Sequence, residues 1–317
     1  MTVELEFENK DVNEFFIPVP PKKVAKWEED FKETTNYNVI TIDISDHTQI
    51  INQRIKNNEI KNFDFVPELP SSIKVLEFLP KENVEKREEI VLCCHGWEGR
   101  GLNFFKFIPG LQERGFRVLA VDFPLHGVNK DCNCEYSGCT VFGHTINAII
   151  RSLNQPVYIM AHSMGNGAFE INCRLSNEKE KRLVKKYVGI AAMNYYYDAV
   201  VGHIKIFKLE NEDKLIKDYI EHKKDLFGFD INDIVLENDV LSLEIPILFV
   251  HDLNDKEIPY EKTEVLKDKM KRKSYTVNEI SYPTFCKTEG LGHRRILRDD
   301  KVAKTVVDFL SQGVCKC

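Results

Sequence analysis

The chain has 317 residues, 43% of them hydrophobic and 30% charged, with a formal net charge of −6. This is the composition of a globular protein long enough to bury a substantial core. The acid excess argues against nucleic acid as a partner, because phosphate binding needs a basic face, and the lysines and arginines are interspersed with acids as on a solvated mixed surface.

The first residues, MTVELEFENK, carry acids and no apolar core, so no secretory signal is expected there. No run approaches the roughly 18 apolar residues of a membrane span, so no transmembrane segment is expected. Nine cysteines, an odd number, accompany no signal. The expectation is a cytoplasmic protein with reduced thiols.

Residues 1–70 hold a Pro-rich stretch, IPVPPKK, a short helix candidate in KWEEDFKETT, an alternating strand in NVITIDIS and helical spacing in HTQIINQRIKNNEI. They are expected to form an N-terminal extension packed on the core. Strands and helices then alternate. IKVLEFLP and EIVLCCH predict strands, GLNFFKFIPGLQERG a helix stopped by Gly115, and FRVLAVDF a strand. TVFGHTINAIIRSL predicts a helix with Ile146, Ile149, Ile150 and Leu153 on one face. Further on, PVYIMAH, VKKYVGIAAMN, PILFVHD and SYTVNEIS predict strands. MGNGAFEINCRL, YEKTEVLKDKM and KVAKTVVDFLSQG predict helices, the last closed by Gly313. Near-continuous apolar strands separated by helices predict an α/β fold, a mostly parallel sheet covered on both faces. The core is expected over residues 71–195 and 245–317. The rhythm breaks over 196–244, where NEDKLIKDYIEHKKDLFGFD is helical and charged, and a helical cap is expected there.

One stretch, VYIMAHSMGNGAFE at 157–170, runs from an apolar strand into small residues around a serine. A serine forced into a sharp strand-to-helix turn exposes its hydroxyl above the sheet, and the residues two before and two after must be small. Ala161 and Gly165 fill those places around Ser163. The turn aims the Met164 N–H, at the helix N-terminus, toward a developing oxyanion.

A serine hydroxyl needs a base, and the base needs an orienting acid. In this kind of fold the chain order is Ser, then Asp or Glu, then His. Downstream of Ser163 come PILFVHDLNDKEIP, a strand end rich in acids, and EGLGHRRILRD, a histidine in a Gly-flanked loop. Asp255 is preferred over Asp252 as the acid, because its loop must reach outward, whereas Asp252 at the strand end suits local backbone N–H groups. His293 is the base candidate. His162, beside the serine, is expected to point away from the hydroxyl and to pack or bond locally; His251 lies in a strand end, and His126 shapes a loop. In CCHGWEGRG, Gly96 lets the chain turn and brings the Trp97 N–H inward as a second oxyanion donor.

With these residues in order, the sequence resembles the α/β-hydrolase superfamily: HGWEGRG at 95–101, VDFPLHG at 121–127, AHSMGNG at 161–167, VHDLNDKEIP at 250–259 and GLGHRRILRD at 290–299. The set is most similar to the esterase and serine-aminopeptidase-like branch, where arginines often follow the histidine, as Arg294 and Arg295 do here. The resemblance implies Ser163 as nucleophile, Asp255 as orienting acid, His293 as base, and Trp97 and Met164 as backbone oxyanion donors. It departs from the common pattern at Ala161, at Asp252 and in the segment KDCNCEYSGC, which bear on substrate rather than on chemistry.

Cys132, Cys134 and Cys139 cluster in one loop, but their spacing is poor for a tetrahedral zinc site, and no metal is expected. The tail GVCKC, with Cys315 and Cys317, departs from the usual lipidation box. No phosphate loop or dinucleotide fingerprint is present, so no cofactor is expected. The expected substrate is a small ester or acyl compound cleaved through an acyl-enzyme. Peptidase action, with Glu210, Glu212, Asp213 or Asp218 holding a free amine, thioester hydrolysis and acyl transfer are the neighbouring alternatives. A non-catalytic binding protein on the same scaffold is the rival from another class.

Overall fold

The computed structural model describes residues 26–60, 66–206, 212–227, 230–277 and 280–312. The Pro-rich IPVPPKK, Glu210, Gly313 and the two tail cysteines lie outside them.

Eight strands form one sheet: β1 (Asn38–Asp43), β2 (Ser72–Phe78), β3 (Ile90–Cys94), β4 (Arg117–Val121), β5 (Val157–His162), β6 (Val184–Ile190), β7 (Ile247–Asp252) and β10 (Thr284–Thr288). Their spatial order is β1-β2-β4-β3-β5-β6-β7-β10. The pairs β1–β2 and β2–β4 are antiparallel and the pairs from β4 to β10 are parallel. The sheet is therefore mostly parallel, and its strands read accordingly: every residue of β3, β5 and β7 is buried, as a sheet covered on both faces requires. Buried side chains divide into two clusters, one including Leu92, Ile159 and Phe249, the other including Val91, Met160 and Val250. Neighbours along each strand fall in different clusters, which is the period of two pointing to opposite faces.

The edge strand β1 comes from the N-terminal stretch, followed by the helix His47–Lys56, which buries His47, Ile51 and Arg54. Arg54 forks onto Glu180 at 2.5 and 2.8 Å and also donates to the Leu175 carbonyl at 2.6 Å.

Three segments differ from expectation. GLNFFKFIPGLQERG is not one helix but a 3-10 turn, Gly101–Phe104, followed by the helix Ile108–Glu113. Pro109 lacks an N–H and is tolerated only in a first helical turn, so the longer helix is interrupted there. SYTVNEIS joins the small two-stranded sheet of β8 (Tyr275–Val277) with β9 (Ile280–Tyr282). The last strand of the main sheet is instead β10, in TFCKT, paired in parallel with β7. Its intermediate burial and short length give no period to recognise. Finally, the expectation of reduced thiols fails at Cys286 on β10, which is disulfide-bonded; Cys93, Cys94, Cys132, Cys134, Cys139 and Cys173 are free. Proximity in the folded chain decides this, and spacing along the sequence does not report it.

Between β6 and β7 the chain forms the helices Tyr196–Ile206 and Glu212–Phe227. Tyr196, Ile204, Ile216 and Tyr219 are buried in the same cluster as Phe142 and Ala168. Tyr196 thus packs this segment onto the core. No helix among the described residues is long and apolar enough to cross a membrane, and the described residues hold no cluster of His, Cys, Asp and Glu suited to a metal ion.

Candidate active site

Ser163 stands between β5 and the helix Met164–Leu175 with φ 53° and ψ −124°. A non-glycine residue in that region carries about 1–3 kcal/mol of strain and persists only where its surroundings over-determine it. They do so here. The Ser163 N–H donates to Ile190 O at 3.0 Å, and the Asn166 N–H donates to Ser163 O at 2.9 Å. The Asn166 side-chain amide donates to Ser163 O at 2.8 Å and Ile190 O at 3.1 Å, while its oxygen accepts from the Tyr187 hydroxyl at 2.6 Å. The turn is held by a buried polar clamp that the small-residue motif did not announce.

The same turn explains two glycines. A Cβ on Gly165 would stand 2.4 Å from Cys94 O, so helix and neighbouring strand touch backbone to backbone. A Cβ on Gly96 would stand 2.8 Å from Ser163 Cβ. The loop after β3, which continues into Trp97, therefore lies directly against the serine. His95 fixes this loop. Its Nδ1 bonds Gly96 O at 2.7 Å, and its Nε2 accepts from the Phe123 N–H at 3.1 Å. Burial first, and then the neighbouring His126, hold its pKa well below the usual histidine value, so the ring is neutral with its proton on Nδ1.

Two distant loops meet Ser163. His293 lies in the short helix Gly292–Arg295, and its Nε2 is 2.9 Å from Ser163 Oγ. Its Nδ1 is 2.8 Å from Asp255 Oδ2. Asp255 Oδ1 accepts the backbone N–H groups of Glu257 and Ile258 at 2.9 and 2.8 Å. Burial acts to raise the Asp255 pKa, but hydrogen bonds from His251 and His293, the charge of His293 and the Ile258 N–H outweigh it. The carboxyl is held far below its ordinary range. Both Asp255 and His293 are buried, and Ser163 is half-buried.

Asp252 is placed differently. Its oxygens accept from the N–H groups of Asn254, Leu291 and Gly292 at 2.8–3.0 Å and from the Thr288 hydroxyl at 2.8 Å. It ties the end of β7 to the loop that carries His293, and it has no contact with the His293 ring among these bonds.

His162 does not bond locally. Its Nε2 lies 2.9 Å from the His293 backbone carbonyl, 131 residues away. Burial, followed by the charge of His293, lowers its pKa to about 3. A neutral imidazole facing a carbonyl must hold its proton on Nε2, so His162 donates.

Met164 is the first residue of the helix after Ser163, and Trp97 follows Gly96 in the loop braced by His95. The indole of Trp97 meets the His126 ring edge-on at 5.8 Å.

These residues can be set beside known proteins. A family model for the alpha/beta hydrolase fold matches residues 89–168. A magnesium-chelatase 30 kDa subunit of Rhodobacter capsulatus is 30% identical over 114 residues, 36% of this chain and 38% of that protein. A serine hydrolase-like protein of Dictyostelium discoideum is 30% identical over 117 residues, 35% of this chain and 31% of that one. The match thus spans about a third of the length of each of these relatives. An esterase of Pyrococcus furiosus superposes with a TM-score of 0.55 at 16% identity, covering 93% of this chain and 98% of its own. A monoacylglycerol lipase of Paleococcus ferrophilus superposes at 0.51 and 18% identity, covering 76% and 99%. At such identities the likeness speaks for the fold. Together with the strand order and the family model, it shows that the chain has the α/β-hydrolase fold.

Proposed function

We propose that the chain is a serine hydrolase that cleaves a small carboxylic ester through an acyl-enzyme, with Ser163 as nucleophile, His293 as base and Asp255 as orienting acid. The observation that carries this reading is the continuous hydrogen-bonded chain from Ser163 Oγ to His293 Nε2, at 2.9 Å, and from His293 Nδ1 to Asp255 Oδ2, at 2.8 Å. These contacts are within the reach that proton transfer needs.

In the first half-reaction His293 Nε2 takes the hydroxyl proton as Ser163 Oγ attacks the ester carbonyl carbon. The carbonyl oxygen becomes an oxyanion, for which the Trp97 and Met164 N–H groups are the proposed donors. His293 then passes the proton to the departing alcohol oxygen, leaving the acyl group on Ser163. In the second half-reaction His293 takes a proton from water, the hydroxide attacks the acyl carbon, and the proton returns to Ser163 as the acid leaves. Asp255 keeps the proton of the neutral ring on Nδ1 and supports the imidazolium that forms. The cap is proposed to span 196–244 and to bound the acyl side of the site, on a core of 71–195 and 245–317. The N-terminal 70 residues are proposed to serve as an extension of that core rather than as a separate unit.

The test is intact-mass labelling with a fluorophosphonate. One adduct on the native chain, absent from Ser163→Ala, is the expected outcome. A folded native chain that takes no adduct would sink the reading and favour a binding protein on the same scaffold. Turnover of an acyl ester against an aminoacyl arylamide separates esterase from aminopeptidase.

A further inference from the structure

His251 stands at the end of β7, almost wholly buried, and faces the triad candidate from behind. Its Nε2 lies 3.1 Å from Asp255 Oδ2 and 3.0 Å from Ile258 O. Its Nδ1 lies 2.5 Å from Thr263 Oγ1, which itself lies 2.8 Å from Ala192 O. The Tyr260 ring meets it edge-on at 5.8 Å. From these contacts, and resting on the triad reading above, we infer that His251 is a positioning residue for Asp255, oriented by Thr263, so that one oxygen of the acid serves two imidazoles.

The proton placement follows from what each partner is able to do. A carbonyl oxygen only accepts, so the Ile258 contact puts a proton on His251 Nε2. That same N–H is in reach of Asp255 Oδ2. The Thr263 hydroxyl has one proton, which goes either to Ala192 O or to His251 Nδ1. If it goes to Nδ1, the ring is neutral. If it goes to Ala192 O, Nδ1 must itself donate and the ring is an imidazolium. Both states keep the proton on Nε2, so both hold Asp255.

Asp255 then has four donors. The backbone N–H groups of Glu257 and Ile258 take Oδ1. The rings of His293 and His251 take Oδ2. The two backbone bonds anchor one oxygen, and rotation about the terminal carbon–carbon bond remains to be set. The His251 N–H sets it, and with it the direction in which Oδ2 faces His293. It also draws negative charge from the oxygen that supports the His293 imidazolium.

The experiment replaces His251 by Phe, which keeps the ring volume and removes both nitrogens, and by Gln, whose amide restores a donor. Rates are taken per serine titrated by fluorophosphonate, so that unfolded protein is not counted. His251→Phe is expected to lower kcat about tenfold at nearly constant KM, the scale of a slightly misaligned catalytic group. The acidic limb of its kcat/KM profile is expected to move to higher pH, because Oδ2 then gives its full charge to His293. His251→Gln should recover much of kcat, and Thr263→Val should move both readouts the same way by less. Native kcat and an unmoved limb in His251→Phe would overturn the inference. A second readout needs no turnover: the far-downfield proton resonance of the His293–Asp255 hydrogen bond should shift in His251→Phe. A native chain that takes no fluorophosphonate adduct would defeat the hydrolase reading, and this resonance would still decide the role of His251. An unshifted resonance in the folded variant would overturn it.

Discussion

His162, the residue just before Ser163, donates from Nε2 to the backbone carbonyl of His293 at 2.9 Å, and the two rings lie 4.8 Å apart between centroids. The strand that presents Ser163 thus also holds the loop that carries His293. A single buried hydrogen bond contributes about 1 kcal/mol, and more when its loss strands the partner. His162→Phe is expected to lower kcat about tenfold with a small change in KM, since it keeps an aromatic ring beside His293 and removes the hydrogen bond that holds the His293 backbone. Steady-state kinetics on protein matched for active-site content checks this.

The two glycines that crowd the elbow should fail in different ways. Gly165→Ala drives a methyl to 2.4 Å from the Cys94 carbonyl, backbone against backbone. It is expected to reduce folded yield and melting temperature. Gly96→Ala meets the Ser163 Cβ, a side-chain atom, at 2.8 Å. It is expected to fold and to lose most of its ester turnover, because the loop that carries the Trp97 N–H is pushed off the serine. Circular dichroism melts beside an esterase assay separate the two outcomes. A Gly96→Ala enzyme with native kcat would contradict the close approach.

Acid should destabilise this protein early. Burial lowers the pKa of His144 and His162 to about 3 and of His126 to about 4, and lowers those of His47 and His95 as well. The unfolded chain binds a proton at each near pH 6.5, whereas the folded chain does not. Folding stability is therefore complete above about pH 6.5 and falls as pH drops toward the folded values, by up to about 1.4 kcal/mol per pH unit for each such group. Urea midpoints are expected to fall steeply between pH 7.5 and 5. Replacing one of these rings by Phe should shallow the slope; an unchanged slope in His144→Phe would remove that ring from the account.

The pair of Arg54 and Glu180 joins the N-terminal helix to the helix Glu178–Leu183, with side chains 9% and 4% exposed. Breaking such a pair by removing one partner strands a buried charge and costs about 3–5 kcal/mol. Arg54→Met alone is expected to lose that much by chemical denaturation. The double variant Arg54→Met with Glu180→Leu should regain most of it, since neither charge is then left alone. Equal losses in the single and double variants would place the cost in packing instead.

The sequence by itself determined the alternation of strands and helices, because period and chain punctuation are local properties. It also determined that Ser163 lies in a strand-to-helix turn, because Ala161 and Gly165 mark the crowding there, and it put an acid and a histidine in the right order downstream. Other features were decided only by the tertiary structure. Two aspartates three residues apart look alike in sequence, yet Asp252 spends its oxygens on Leu291, Gly292, Asn254 and Thr288, while Asp255 faces His293. The partners of His162 and His251, and the polar clamp of Asn166 and Tyr187, likewise join residues far apart in the chain or across a turn. Strand β10 has too little burial to show a period, and its place comes from pairing with β7. Hydrogen-bond direction and distance are relations in space, and no spacing along a chain encodes which of several eligible side chains will be brought within three ångströms.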